Sequence, residues 1–322
     1  MVTQKMDKQK NNMKIDAIIA WVDGNDPVLN AKRARYANNG DVFKKDEIAG
    51  ATRYANLGEI YWCVRSINKF IPWVNKIYIV TDGQDPHVDS IIPVEIVDHK
   101  TIFRGYEQYL PTFNSISIET MLWKIPGLQE HFIYFNDDFI LCKPLNPTDF
   151  FTDENTAILY GKPQVTWWTQ LRYRIKPYIM HQDKVNPRQE MLNSVYMLGG
   201  SYTFPRVFHA PRSFLKSLYG EYYKTHPEAL DRNLSCRFRD EKQFRPDVVC
   251  YLLMLKQGML KYRHPKGELL EYYPKGGMKR LVRKMKLITR ENGCKFATLN
   301  SLDKATPEMF SYIKDIMEKI LA

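Results

Sequence analysis

Hydrophobic positions in this chain fall into short unbroken runs separated by longer stretches with helical spacing. The runs KIDAIIAWV (Lys14 to Val22), KIYIVT (Lys76 to Thr81), PVEIVD (Pro93 to Asp98) and HFIYF (His131 to Phe135) are too short for buried helices and rich in Ile, Val and aromatic residues. Each therefore reads as a buried strand. Between them, Leu57, Ile60, Tyr61, Val64, Ile67 and Phe70 form an apolar stripe that ends at Pro72. A second stripe runs through Ile116, Ile118, Met121, Leu122 and Ile125, with Thr112, Asn114 or Ser115 available as its N-cap. Strands alternating with helices imply a mainly parallel sheet with right-handed crossovers. The stretch from Lys32 to Arg53 is charged and irregular and reads as a surface excursion.

Three of these strands run into carboxylate-bearing turns: Asp23-Gly24-Asn25-Asp26-Pro27, Asp82-Gly83, and Asn136-Asp137-Asp138. In open α/β sheets ligands sit beyond the carboxyl ends of the strands. Paired acids there suit Mg²⁺ or Mn²⁺ bridging a diphosphate. Asn and Asp also favour turns for local hydrogen-bonding reasons, so the NDD sequence in isolation reads first as a plain turn. Its flanks, Phe132 to Phe135 and Phe139 to Leu141, place the acids within a core-bounded fold. The strand-to-loop passage at Gly24 has the form used to approach phosphates or a nucleotide base. Arg65, taken with its helix alone, reads as a solvated surface arginine.

Beyond Phe150 the periodicity fades, and Trp167, Trp168, Arg172, Tyr173, Arg174, Lys176 and Tyr178 interleave aromatic and basic character. Such a stretch can stack on sugars or bases, or form a partly buried surface helix. The run FPRVFHA brings His209 up before Pro211, and CRFRD carries Arg237 and Arg239. Helices are expected over Phe214 to Tyr223 and Asp247 to Leu260. Met278 to Ile288 places Met278, Leu281, Val282, Met285 and Ile288 on one face and its lysines and arginines largely elsewhere. A basic amphipathic helix of this kind can lie on an anionic membrane surface or dock with its charged face in solvent. Thr306 and Pro307 open a last helix.

With 322 residues and 44% hydrophobic content the chain can bury a substantial core. A net charge of +11 favours anionic partners without choosing among nucleotide, phosphorylated polymer, lipid and nucleic acid. A nucleic-acid-binding role would leave the carboxylates at the strand ends unexplained. The five cysteines are odd in number and lack a C-x-x-C pair, which argues against a disulfide framework or zinc knuckle and for buried free thiols. The first residues have no apolar signal core, and no stretch approaches the ~18 apolar residues of a spanning helix. The expected location is cytoplasmic, with peripheral contact at the inner face of the plasma membrane through the basic helix.

The segments IDAIIAWVDGNDP (Ile15 to Pro27), RYANLGEIYWCVRSINKFIPWVNKIYIVTDGQ (Arg53 to Gln84), LPTFNSISIETMLWKIPGLQEHFIYFNDD (Leu110 to Asp138), FHAP and CRFRD together resemble the Stealth family. Those are sugar-1-phosphate transferases of bacterial capsule and cell-surface polysaccharide synthesis. The resemblance implies a Rossmann-like, GT-A-like core that binds a nucleotide-sugar, commonly UDP-linked. It also implies transfer of the hexose 1-phosphate to a hydroxyl of a growing polysaccharide or lipid-linked glycan, releasing UMP. An ordinary metal-dependent glycosyltransferase releasing UDP is the rival reaction.

By the same resemblance His209 and Arg239 match the family's catalytic histidine and arginine, with Arg237 the nearest alternative to Arg239. Asp138 joins them as a catalytic group. Asp23, Gly24, Asp26, Arg53, Arg65 and Asp82 are expected at the donor, and Asp137, Asp138 and Asp303 at Mg²⁺ or Mn²⁺. The family's C-terminal Leu-Asn-Asp is Leu299-Asn300-Ser301 here, so either Asp303 takes over the acidic role or the site manages without it. The expected organisation is a tail over 1–13, a donor-binding core over 14–150, an inserted lid segment over 151–205, and a catalytic part with C-terminal helices over 206–322.

Overall fold

The computed structural model describes residues 13–37, 56–172 and 189–322. In chain order its strands are β1 (Ile15–Ala20), β2 (Ile77–Thr81), β3 (Val94–Asp98), β4 (His131–Asn136), β5 (Phe139–Leu141) and β6 (Phe151–Asp153). They continue with β7 (Thr156–Val165), β8 (Thr203–Val207), β9 (Arg212–Leu215), β10 (Leu260–Arg263), β11 (Leu269–Tyr272) and β12 (Phe296–Leu299). The helices are α1 (Pro27–Ala37), α2 (Glu59–Phe70), α3 (His99–Ile102), α4 (Ser115–Met121) and α5 (Gln189–Met197). After these come α6 (Lys216–Thr225), α7 (Pro227–Leu234), α8 (Pro246–Lys256), α9 (Gly277–Thr289) and α10 (Pro307–Leu321).

The central sheet has the order β3-β2-β1-β4-β9, with its first four strands parallel and β9 antiparallel to β4. This is the expected α/β class with a mainly parallel core. β1 can sit in the middle because Ile15, Ala17, Ile18 and Ile19 are all buried, as a strand covered on both faces requires. Its one acid, Asp16, is buried with both oxygens satisfied: Asn75 Nδ2 donates to Oδ1 at 2.7 Å and Gln129 N to Oδ2 at 2.8 Å. Since β1 to β4 run the same way, their carboxyl ends open on one edge. After β4 the chain makes a two-residue turn at Asp137 and Asp138 into β5, which pairs antiparallel with β12 in a second sheet.

Helix α2 buries Ile60, Cys63, Val64, Ile67 and Phe70, most of the expected stripe. Asn114 caps α4, its Oδ1 accepting from Ile116 N at 3.1 Å. The amide of the same residue donates to the carbonyls of Cys236 and Phe238 and to Gln243 Oε1 at 2.8–2.9 Å. One buried side chain thus ties the CRFRD segment to the start of α4. Thr306 caps α10 as expected, accepting from Met309 N at 3.3 Å.

Three expectations need correction. Helix α1 occupies residues read in part as a surface excursion: Asp26 Oδ1 accepts from Val28 N at 2.8 Å and Pro27 stands at the first position, but only Leu29 and Ala37 are buried, too few to make a visible stripe. β7 is a ten-residue strand where periodicity fades, because it pairs with β6, β8 and β10 and buries the continuous run 157–161. The apolar stripe of α9 is already used: Leu281, Met285 and Ile288 are buried in the main core, so no apolar face remains to enter a bilayer. The exposed side chains there are mainly charged: Lys279, Arg280, Arg283 and Lys286. No helix among the described residues is long and apolar enough to cross a membrane. All five cysteines are buried and free.

Candidate active site

A cleft of about 300 Å³ opens at the carboxyl edge of the central sheet. Its floor is made by Ala20, Trp21 and Val22 after β1, Val80 and Asp82 at the end of β2, and Asn136 and Asp137 at the end of β4. One wall is Leu29 of α1 and His99 of α3; another is Thr112, Phe113, Ser115, Ile118 and Glu119 around the start of α4. His209, Arg212, Arg239 and Arg245 complete it. The parallel register alone brings the first set together. The last four arrive because β9 pairs with β4, Tyr134 facing Arg212, and because Asn114 holds the loop after Cys236.

The acids of the β4 turn are held against their preference. Burial pushes Asp137 up to about 7, helped by the nearby Glu59 carboxylate. Asp138 is pushed well above the usual carboxylate range by burial, then by Asp137 and Glu59. Asp138 Oδ1 is buried without a hydrogen-bond partner among the described residues. Two like charges and an orphaned oxygen at a strand end fit a divalent cation. Among the described residues no three His, Cys, Asp or Glu side chains are grouped to hold one by themselves. A pair of carboxylates still suits Mg²⁺, which characteristically takes one or two protein carboxylates and completes its shell with substrate phosphates and water. Asp303 is exposed on the 3₁₀ turn Leu302–Lys304, within electrostatic reach of Glu59 but outside the cleft lining. The structure does not gather it with Asp137 and Asp138 into a ligand group.

His209 lies next to the β4 turn, its ring edge-on to Phe139, the residue after Asp138, at 5.4 Å between centroids and its carbonyl accepting from Thr298 Oγ1 at 2.8 Å. Burial and the guanidiniums of Arg212, Arg245 and Arg239 lower its pKa to about 4. The imidazole is therefore neutral near pH 7 and able to accept a proton. Arg239 lines the cleft and donates from Nη2 to Ser115 Oγ at 2.8 Å. Arg237 spends its guanidinium on the carbonyl of Pro111 at 2.8 Å and lies over the Tyr36 ring at 4.6 Å, outside the lining. Of the two arginines of CRFRD, Arg239 is the one presented to a ligand.

Arg212 and Arg245 were not singled out from the sequence. Arg212 is 5% exposed and lies 3.4 Å from both Glu119 and Asp247; Arg245 grips Asp247 with Nε at 2.9 Å and Nη2 at 2.5 Å. Burial disfavours the Asp247 charge, but Arg245 and Arg212 outweigh it and hold the carboxyl below its usual range. Burial also works against the Arg245 charge, and Asp247 and Glu119 more than offset it. The network fixes two guanidiniums in the wall, with Arg212 Nε unpartnered among the described residues. The available signals were an arginine three residues after His209 and an Arg-Pro-Asp sequence before an apolar helix.

The other expected donor residues divide. Asp82 lines the cleft and pairs with Lys32 at 3.0 Å. Asp23, Gly24 and Asp26 form the turn after β1 without lining it. Gln84 accepts from Asp23 N at 2.8 Å and donates to Asp26 Oδ2 at 2.8 Å, while the Gly24 carbonyl accepts from Asn30 at 2.7 Å. These bonds anchor the loop that carries Trp21 and Val22. Arg65 pairs with Glu318 at 2.7 Å, joining α2 to α10 away from the cleft lining. Arg53, with Tyr173, Arg174, Lys176 and Tyr178, lies outside the described residues.

Comparison with known proteins places this geometry. Residues 13–41 match the model of Stealth protein CR1, conserved region 1, and residues 53–159 that of Stealth protein CR2, conserved region 2. The receptor polysaccharide phosphotransferase WefC of Streptococcus oralis is 41% identical over 152 residues, 45% of this chain and 45% of that protein. The capsular polysaccharide phosphotransferase fcs1 of Haemophilus influenzae is 34% identical over 232 residues, 70% of this chain and 60% of the other. The exopolysaccharide phosphotransferase SCO6021 of Streptomyces coelicolor is 34% identical over 238 residues, 72% of this chain and 41% of the other. The matched parts thus span about half the length of these curated relatives. Among solved structures, galactosyltransferase LgtC in complex with donor and acceptor sugar analogs aligns over 95% of both chains at TM-score 0.43 and 9% identity, a likeness too loose to bear on the site. The first conserved region supplies β1 and its turn, the second supplies β2 to β4 with the acidic turn, and the chain that folds them into this cleft belongs to the Stealth family.

Proposed function

We propose that the protein transfers hexose 1-phosphate, or N-acetylhexosamine 1-phosphate, from a UDP-linked sugar to a hydroxyl of a growing cell-surface polysaccharide, releasing UMP. The observation that carries this reading is the content of one cleft: Asp137 from the acidic turn at a sheet edge, a neutral histidine, and three arginines. The names of the relatives, all polysaccharide phosphotransferases, agree with it.

In this reaction the acceptor oxygen bonds to the sugar-side phosphorus as the bridging P–O bond to the nucleoside phosphate breaks, and the anomeric C–O bond stays intact. His209 takes the acceptor proton, a role suited to an imidazole that is neutral before the donor arrives. Incoming phosphates offset the three guanidiniums that disfavour its protonation. Charge that builds on the phosphoryl oxygens and the leaving nucleotide meets Arg239, Arg212 and Arg245, already fixed in place, and such prearranged charge is the main source of rate in phosphoryl transfer. Glu119 and Asp247 orient two of the guanidiniums; no carboxylate pairs with Arg239 among the described residues, which leaves its charge for the donor. Asp137 and Asp138 would hold Mg²⁺ or Mn²⁺, which when bound supplies positive charge to the diphosphate.

The deciding experiment incubates the purified protein with a panel of UDP-sugars, Mg²⁺ or Mn²⁺ and a cell-surface glycan, and identifies the released nucleotide by chromatography. UMP is expected. Release of UDP instead would assign the cleft to glycosyl transfer.

A further inference from the structure

Four polar atoms, on three side chains that line the cleft and are each over nine-tenths buried, have no hydrogen-bond partner among the described residues. They are both ring nitrogens of His99 (2% exposed), the indole N–H of Trp21 (6%) and the hydroxyl of Thr112 (3%). Buried polar groups are nearly always satisfied, so four orphans on one cavity mark hydrogen bonds reserved for a ligand. His99 is not at the reacting end. His99 follows β3 and Asp137 follows β4, and three strand spacings separate those strands in the order β3-β2-β1-β4. At about 4.8 Å each, that is on the order of 14 Å. A nucleoside diphosphate bridges such a gap when extended.

The surroundings also suit a flat, weakly charged group. Leu29 and Phe113 pack with Val22 as a small apolar cluster on the same cleft, and Phe113 stacks on Phe238 with centroids 5.3 Å apart. The Asp82 charge near His99 is taken up by Lys32 at 3.0 Å. An imidazole without a proton partner offers one donor and one acceptor, the indole a donor, and the hydroxyl either.

We infer that His99, with Trp21 and Thr112, is the nucleoside-recognition subsite of the donor: the Leu29 and Phe113 side chains cover the face of the base, and His99 hydrogen-bonds a polar group of the nucleoside rather than of the sugar 1-phosphate. This rests on the cleft being the nucleotide-sugar site, and it assigns His99 a part in specificity outside the chemical step.

The test measures binding of UMP, CMP, AMP and GMP, and separately of a hexose 1-phosphate, by calorimetry to the wild-type protein, His99→Phe and His99→Gln. His99→Phe should weaken the preferred nucleoside monophosphate roughly 10- to 100-fold, as loss of a buried hydrogen bond implies. It should narrow discrimination among the four and leave hexose 1-phosphate binding within about twofold, with His99→Gln intermediate. Because no described residue relies on the ring nitrogens, the ligand-free melting temperature of His99→Phe should equal or exceed that of the wild type. Nucleotide binding unchanged in His99→Phe overturns the inference and leaves the transferase reading standing. Equal loss of both ligands overturns it as well, since that marks general collapse of the cleft. A wild-type protein that binds no nucleotide and no nucleotide-sugar overturns both.

Discussion

Arg239 donates from Nη2 to Ser115 Oγ at 2.8 Å across 124 residues of chain, and this bond sets the guanidinium at the start of α4, in the cleft that Asp137 of the β4 turn also lines. Losing such a preset donor costs about 10²–10³ in rate when charge develops in front of it. Arg239→Ala should therefore lower turnover by that factor and weaken donor binding. Arg239→Lys should recover little, since a point charge cannot copy the fork. Ser115→Ala keeps the charge and loses its aim, so a loss of roughly tenfold is expected. Steady-state kinetics on the three variants check the order; Arg239→Lys at wild-type turnover would remove Arg239 from the chemistry.

His209→Ala should depress turnover by about 10²–10⁴ with donor affinity nearly unchanged, because the imidazole serves the acceptor proton. Its ring also packs on Phe139, so melting temperature must be read on the same preparation. Activity that falls only in step with stability would mark a packing residue.

Asp138→Asn and Asp137→Asn should abolish transfer. They should also raise the melting temperature of metal-free protein at pH 8, because burial and mutual repulsion already disfavour these charges and Asn removes them. Added Mg²⁺ or Mn²⁺ should stabilise the wild type and leave both variants unmoved. Equal stabilisation of all three by metal would dismiss the turn as the metal site.

The network of Arg212, Arg245, Asp247 and Glu119 predicts a structural penalty of another kind. Asp247→Asn leaves two buried guanidiniums short of a counter-charge, and breaking a buried pair costs about 3–5 kcal/mol. Urea denaturation should show that loss. A shift under 1 kcal/mol would mean that solvent reaches these arginines.

Two histidines give a pH signature. Burial, opposed by Asp82 and Asp98, lowers His99 from 6.5 to about 4, and His209 reaches the same value through burial and three arginines. Between pH 6.5 and 4 the unfolded imidazoles bind protons that the folded ones refuse. Stability is therefore lost as pH falls through that window, by up to roughly 3 kcal/mol per histidine. His99→Phe should flatten the fall between pH 6.5 and 4.5 relative to wild type. Parallel pH curves would show His99 to be protonated in the fold.

The strand ends were legible for a simple reason. Buried parallel strands appear as apolar runs, and a polar turn at the end of each is visible in one dimension, so β1, β2, β4 and their acids stand out. The helix caps at Asn114 and Thr306 are local as well. What stayed hidden depends on pairing across distance. Asp23 and Asp26 look like ligand groups until Gln84, some 60 positions on, takes up their hydrogen bonds, and the Gly24 carbonyl is taken by Asn30. Arg65 looks free until Glu318 arrives from the last helix. The basic helix looks ready for a membrane until the core claims its apolar stripe.

The linear chain already specifies a mainly parallel α/β core, an acidic sheet edge, and, through its resemblance, a histidine and an arginine to look for. These follow from periodicity, turn chemistry and motif order, which are properties of neighbours in the chain. It takes the folded arrangement to show that Arg239 and not Arg237 lines the cleft, that Arg212 and Arg245 line it with His209, and that His99 is buried with both nitrogens unpartnered among the described residues. An arginine's partner and a histidine's solvent are fixed by which strands become neighbours, and β9 joins β4 only when residues more than 70 positions apart meet.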